Sequence, residues 1–192
     1  TIRMLLGLLE PTSGKAVVLG FDTIQSPNDI RSRCGALLEH PGLYERLSAE
    51  DNLQLYARIW GMRDSERSAR IREVLESFSL WDRRKDPAGT FSHGMKKKLA
   101  VARAMLHRPA LLFLDEPTAG MSHVETELAV ALIRRLTHGR TLVIVEHDMS
   151  VVFGLADRIS VLVYGHVIAT GTPEDIRSDP KVKEAYLGQE AA

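Results

Sequence analysis

The stretch Ala110-Leu111-Leu112-Phe113-Leu114-Asp115-Glu116-Pro117-Thr118-Ala119-Gly120 decides the fold of this chain. Apolar residues run into two adjacent carboxylates, and the chain then turns. A short continuous apolar run bounded by turn residues predicts a buried parallel strand. In open α/β sheets ligands bind beyond the carboxyl ends of the strands, which is where Asp115 and Glu116 fall. Two carboxylates there suit a magnesium nucleotide. Asp115 would hold Mg²⁺ or one of its waters, since the ion takes hard oxygen ligands and keeps several waters. Glu116 would polarise an attacking water or take its proton; phosphoryl transfer asks mostly for positioning and charge stabilisation. Taken alone, Asp115-Glu116-Pro117-Thr118 would serve equally to end a strand and cap a helix. The flanking segments decide between the two.

Composition narrows the field. A chain of 192 residues is about one domain with room for a substantial core. Its 25 basic and 25 acidic residues balance, so nothing marks nucleic acid as a bulk partner. The lone cysteine, Cys34, excludes an internal disulfide framework, fits a reducing compartment and reads as a small buried apolar residue. No apolar run approaches the roughly 20 residues of a membrane helix, and no signal-peptide pattern opens the chain. A soluble intracellular domain is expected, one able to dock on a membrane protein. The chain opens inside an amphipathic helix marked by Ile2, Leu5, Leu6, Leu8 and Leu9, which Pro11-Thr12-Ser13-Gly14 ends. A helix without a start suggests that an N-terminal piece is absent.

Onward from Gly14, residues 15–20 read as a strand and residues 29–33 as a short helix. A second apolar run, Gly35-Ala36-Leu37-Leu38, ends at Glu39, where either a ligand contact or a turn residue fits. Residues 48–85 change character. Ser48 with Asp51 resembles a helix cap; Leu53, Tyr56, Ile59 and Trp60 keep helical spacing up to Gly61; and Ile71, Val74, Leu75 and Phe78 mark another helix. No strand interrupts this stretch, which predicts a helical subdomain inserted in the sheet domain, over approximately 48–107 once the next helix is included.

That next helix is capped by Ser92 and runs to about His107, with Leu99, Ala102, Met105 and Leu106 inward. Its N-terminus carries Ser92 and Gly94, presents free N–H groups and suits phosphate. Lys96, Lys97 and Lys98 would add to that field, although an ordinary capped surface helix fits the same residues. Val124, Leu128, Ala131, Leu132 and Leu136 predict a further helix, and residues 141–146 a β-branched strand ending at His147. That imidazole falls at the same kind of strand end as Asp115 and Glu116, where it could contact a γ-phosphate. A short helix over 150–156, a strand over 158–164 pairing across Gly165 with 166–170, a helix capped at Thr172 and a last helix over 179–188 complete the expectation. The remaining histidines show no metal-ligand spacing.

These pieces, in this order, resemble the nucleotide-binding domain of ABC transporters over essentially the whole chain. The resemblance implies a P-loop NTPase-type α/β core with an inserted helical subdomain, spanning 1–192. Residues 111–118 look like the family's Walker B motif, with Glu116 at the catalytic glutamate. Phe91-Ser92-His93-Gly94-Met95 is similar to the signature motif, with His93 and Met95 replacing Gly and Gln. Glu39 falls where a glutamine is usual, His147 on the switch histidine, and Ala119-Gly120-Met121-Ser122 on the D-loop, where Ser122 replaces Asp. No Gly-x-x-x-x-Gly-Lys-Ser/Thr occurs in the 192 residues. In the family that Walker A loop immediately precedes a helix like residues 1–9, so the chain is expected to begin just after it. Taken literally, this chain should then bind ATP poorly and hydrolyse little, while its parent is an ATPase.

The resemblance further implies a head-to-tail dimer, homomeric or heteromeric, with ATP and Mg²⁺ between subunits. Asp115 and Glu39 would help place magnesium and water, Glu116 would be the general base and His147 the γ-phosphate sensor. Ser92 and Gly94 would face nucleotide held by the other subunit. Transmembrane permease subunits would be partners, no nucleic acid is expected, and the protein would sit on the inner, cytoplasmic face of the cell membrane. Residues 39–48 with 91–96 look like exporter ATPases of drug or polysaccharide systems. Residues 119–122 and 145–149 with the tail Ala185-Tyr186-Leu187-Gly188 look like branched-chain amino-acid uptake ATPases. A recombined gene and a lineage mixing these features both fit. Two further classes, a non-transporter ABC ATPase and a non-catalytic remnant, stay open. The first is disfavoured because residues 48–85 are short and lack sustained heptads.

Overall fold

Three parallel strands organise the first part of the chain. The computed structural model describes residues 1–187. It forms two compact units, Thr1–Glu146 and a second that begins at His147. In the first unit the order is α1 (Ile2–Leu5), β1 (Val17–Val18), β2 (Phe21–Asp22), α2 (Pro27–Arg33), β3 (Cys34–Leu37), α3 (Ala49–Ile59), α4 (Asp64–Ser77), α5 (His93–Ala104), β4 (Leu111–Asp115), α6 (His123–Thr137) and β5 (Thr141–Val145). Two short 3₁₀ turns, Trp81–Arg83 and Ala88–Thr90, link α4 to α5.

The strands lie in the order β3-β4-β5, all parallel, with Leu37 opposite Leu114 and Asp115 opposite Val145. Their carboxyl ends are therefore level. Central β4 is buried through its four apolar residues, as the unbroken run Leu111 to Leu114 predicts. Leu111 and Phe113 pack with Ile2 and Leu6 near α1, Val18, Ile30 of α2, and Cys34. On the other face α5 approaches so closely that a Cβ on Gly35 would lie 2.2 Å from the Ala104 carbonyl oxygen and 2.9 Å from Leu112 Cδ1. Helices thus cover both faces, which an all-parallel sheet requires. The segment between β3 and β4 contains helices and turns, with a single antiparallel bridge from Ser48 to Pro87 and no strand, and Leu53, Ile71, Val74, Leu75, Phe78, Leu99 and Leu106 are all buried.

Several boundaries differ from the sequence-based expectation. The first helix stops at Leu5 because Gly7 takes φ +63 and the Leu8 N–H turns back to Arg3 O; Leu8 and Leu9 are exposed. The strand expected over 15–20 is a tight hairpin, β1 with β2, turned by Leu19 and Gly20 at φ 52 and 85. Two positive φ angles in succession give a type I′ turn, whose twist suits antiparallel strands. In α6 the inward stripe is Ala129, Ile133 and Thr137, whereas Val124 and Leu128 are 65% and 60% exposed. Ile59, at the end of α3, is likewise exposed.

The second unit contains α7 (Met149–Leu155), β6 (Ile159–Val163), β7 (His166–Gly171), α8 (Pro173–Ser178) and α9 (Pro180–Leu187). Antiparallel β6 and β7 join through Tyr164 and Gly165, both with positive φ. Ile159, Val161, Ile176 and Val182 form its core. Thr172 and Asp175 make a reciprocal capping box, with Pro173 in the first turn of α8. The end of the expected tail helix, Gly188, lies outside the described residues.

Candidate functional site

Level strand ends bring three carboxylates into one neighbourhood. Asp115 is the last residue of β4, and Glu39 follows β3 by two residues. Burial pushes the Asp115 carboxyl's pKa up, and the nearby charges of Glu116 and Glu39 add to that; Lys97 and the Thr1 ammonium act in the opposite sense. Asp115 therefore feels both Glu116 and Glu39, and the Thr1 end of α1 lies within its electrostatic reach. These are hard oxygen donors, the kind Mg²⁺ takes. Among the described residues no group of three or more His, Cys, Asp or Glu side chains converges to hold a metal. The arrangement fits Mg²⁺ held in its usual manner, by one or two carboxylates with phosphate oxygens and water completing the shell.

Glu116 adopts φ +46, a conformation uncommon for a residue with a Cβ. Its N–H donates to Val145 O at 2.9 Å, and its carbonyl accepts from Lys97 Nζ at 2.8 Å and from the Ala119 N–H at 3.2 Å. The Thr118 N–H and hydroxyl both donate to Glu146 Oε1, at 3.1 and 2.6 Å. The turn after β4 is thus tied to α5 on one side and to the end of β5 on the other.

Ser92 caps α5, its Oγ accepting the Met95 N–H at 3.3 Å, and it is exposed. Gly94 is buried; a Cβ there would lie 3.4 Å from Glu125 Oε1 and 3.9 Å from Met121 Cε. Gly120, at φ +75, sits where a Cβ would come within 3.3 Å of the His93 ring. Segment 119–125 therefore packs on the first turn of α5. Glu125 is itself engaged in a capping box with Ser122, which holds its carboxyl below the usual range. Two of the three lysines expected to add to the field at this helix end are engaged elsewhere. Lys96 pairs with Glu45 at 2.7 Å, and Lys97 is 3% exposed and turned inward to Glu116. Burial lowers the Lys97 pKa, while Glu116, Glu146 and Asp115 oppose that shift.

His147 opens the second unit and is exposed. Next to it, Asp148 caps α7 by accepting from the Ser150 N–H and hydroxyl.

Residues that the sequence reading passed over hold the loop leading from Glu39. Fully buried Asn52 donates to the carbonyls of Tyr44, Leu47 and Ser48 and accepts the Tyr44 N–H. Arg103 donates to Gly42 O at 2.7 Å and lies over the Tyr56 ring. At the far end of α5, Arg70 donates to Leu106 O at 3.0 Å and Met105 O at 2.7 Å. His107 stacks on Trp60 at 3.9 Å, and its Nε2 donates to Cys34 O at 3.1 Å. Burial pushes the Cys34 thiol up to about 11, which suits a packing role. A polar residue on the buried phase of a helix is the signal that could have found Asn52, Arg70 and Lys97.

A parallel sheet covered by helices, with carboxylates at its level strand ends and a capped helix beside them, is the framework of a nucleotide-binding ATPase subunit. The chain belongs to the ABC transporter ATP-binding family: the family described as "ABC transporter" matches residues 1–119. Residues 166–192 match "Branched-chain amino acid ATP-binding cassette transporter". The ABC transporter ATP-binding protein NatA of Bacillus subtilis (strain 168) is 35% identical over 177 residues, covering 91% of this chain and 72% of that protein. The bacitracin transport ATP-binding protein BcrA of Bacillus licheniformis is 39% identical over 170 residues, covering 88% of this chain but only 55% of that protein. A solved ATP-binding subunit of an ABC transporter superposes with a TM-score of 0.80 at 28% identity, covering 98% of this chain and 79% of that one. No helix among the described residues is long and apolar enough to cross a membrane.

Proposed function

We propose that this chain is the nucleotide-hydrolysing part of an ATPase subunit that powers solute transport through transmembrane permease subunits, on the cytoplasmic face of the membrane. The observation that carries this reading is the placement of Asp115, Glu116 and Glu39 just at the carboxyl ends of parallel strands, with the charges of Glu116 and Glu39 acting on Asp115. Asp115 and Glu39 bind Mg²⁺ or its waters, and Glu116 acts as general base toward the water that attacks the γ-phosphate. His147 senses that phosphate. Ser92 and Gly94, at the N-terminus of α5, face nucleotide held by a second ATPase subunit in a head-to-tail dimer. Residues 48–107 act as a helical subdomain, and its 48–85 part with the loop after Glu39 receives the membrane subunit.

Two readings of the solute each have a supporting observation. The match over residues 166–192 favours branched-chain amino-acid or related uptake. The likeness to a bacitracin transport protein over about nine-tenths of the chain favours the drug-exporter reading. Substrate uptake and efflux in vesicles reconstituted with a permease that binds this subunit separate them.

In the gene-length protein, Glu116→Gln is expected to keep ATP bound and abolish turnover; unchanged turnover refutes the role given to Glu116. The 192 residues contain no Gly-x-x-x-x-Gly-Lys-Ser/Thr, so the chain taken alone is expected to bind ATP weakly. Titration with a fluorescent ATP analogue tests this, and tight binding would overturn it.

A further inference from the structure

We propose that Lys97 and Glu146 are positioning residues for Glu116: a buried ammonium on α5 and a carboxylate just past β5 hold the turn over Glu116, Pro117 and Thr118 from two sides. The inference rests on the reading of Glu116 as the base, and it assigns residues that the reading does not use.

Left-handed backbone is unfavourable at Glu116 and persists only where its surroundings over-determine it. Three groups do so. Val145 O takes the Glu116 N–H, continuing the ladder between β4 and β5 by one bond. Lys97 Nζ takes the Glu116 carbonyl, a charge-assisted bond in a water-poor site. Glu146 Oε1 takes both donors of buried Thr118, so the chain two residues on cannot swing away. Together these bonds fix the direction in which the Glu116 side chain leaves the backbone.

Charge makes the arrangement specific. A lysine this deeply buried loses hydration, and Glu116, Glu146 and Asp115 compensate it. The second Glu146 oxygen, Oε2, is buried without a hydrogen-bond partner. Its charge is therefore balanced through space, with the Lys97 ammonium as the cation acting on it. Lys97 belongs to the helix whose N-terminus carries Ser92 and Gly94. A shift of that helix is consequently transmitted to Glu116 through one side chain rather than through solvent.

Amide hydrogen exchange on the 192-residue chain reads the turn directly. In Lys97→Met the N–H groups of Glu116, Thr118 and Ala119 should exchange at least 10-fold faster, while those within β4 keep their protection. Lys97→Arg should restore most of the protection. Should Lys97→Met fail to fold, Glu146→Gln and Thr118→Val, which are close in shape, should loosen the same three amides. Unchanged protection of the turn in all folded variants overturns the proposal. In the gene-length protein, Lys97→Met and Glu146→Gln should lower kcat for ATP hydrolysis 10- to 100-fold with KM for ATP within about threefold. A rise in KM at constant kcat also overturns it. If Glu116→Gln leaves turnover intact, the base reading fails by itself, and the exchange result still decides whether the clamp exists.

Discussion

Replacing Arg70 by Met tests what holds the far end of α5. Arg70 is 8% exposed and spends two donors on the carbonyls of Met105 and Leu106, where α5 ends, and a third on Glu73 at 2.5 Å. The last carbonyls of a helix have no intrahelical partner; Met105 O keeps the Arg108 N–H at 3.1 Å, so Leu106 O is the one left unmet, and a buried unmet carbonyl costs about 1–3 kcal/mol. Removing the guanidinium recovers part of its own desolvation, which is the main cause lowering its pKa. Methionine fills the space of the stem, so no large cavity adds to the loss. The net expectation is about 1–2 kcal/mol of destabilisation, from the unmet Leu106 carbonyl and the lost bond to Met105 O less the recovered desolvation. At roughly 2–4 °C per kcal/mol for a chain of this size, Tm should fall by about 2–8 °C. Glu73, whose side chain is 54% exposed, supplies the control. Glu73→Gln removes the ion pair and spares both carbonyl bonds, so it should cost less than about 1 kcal/mol. Urea unfolding of the three proteins at pH 7 measures both effects. The reasoning is refuted if Arg70→Met lies within about 0.5 kcal/mol of the parent, below the cost of even one unmet carbonyl, or if Glu73→Gln is as damaging.

Other expectations rest on separate contacts. His107 is held neutral chiefly by burial, helped by the Arg70 charge and opposed by its bond to Cys34 O, so its folded pKa lies below the ordinary 6.5. The unfolded chain takes up a proton at 6.5 that the folded chain declines, so stability should fall as pH drops below 6.5 toward the folded value. His107→Phe keeps a ring on Trp60, should be less stable at pH 7 and should show a flatter profile between pH 7 and 5; parallel profiles would contradict this. Gly35→Ala forces a methyl to 2.2 Å from Ala104 O, a backbone atom that cannot turn aside. It should cost more than about 2 kcal/mol, read by the urea midpoint or by loss of soluble protein. Gly94→Ala meets only ordinary contacts and sits inside a helix, so Tm should hold or rise slightly. If Gly94 faces nucleotide, ATPase activity of the gene-length protein should fall even though the fold does not.

Local chemistry was the legible part of this chain. Ser48, Ser92 and Thr172 each accept the N–H three residues on, as their spacing suggests, because a cap involves only adjacent residues. Strand β4 was legible because an unbroken apolar run bounded by turns has few other homes. Contacts with distant partners were not. The exposed face of α6, with Val124 and Leu128, depends on what lies against the helix rather than on its own period. The β1–β2 hairpin was hidden because Leu19, a residue with no turn preference, takes the first left-handed position. At the site, Asp115, Glu116 and Glu39 could be placed at strand ends from the sequence. Lys97 could not be told from the lysines flanking it, although it shares a helical line with Gly94, Val101 and Ala104, all of them buried. The Glu146–Thr118 pair spans 28 residues and leaves no local trace.

The close approach of β3 and α5 at Gly35 and Ala104 has a mechanical consequence. Backbone meets backbone there, with no side chain between to absorb displacement. The point is a fulcrum. About twelve residues of helix, roughly 18 Å at 1.5 Å per residue, separate it from Ser92. A tilt of about 10° around it would carry the Ser92 end some 3 Å sideways while hardly moving the sheet. Because segment 119–125 and the Lys97–Glu116 bond hold the first turns of α5, a small rotation of the helical layer would be delivered to them as a stroke comparable to a hydrogen bond.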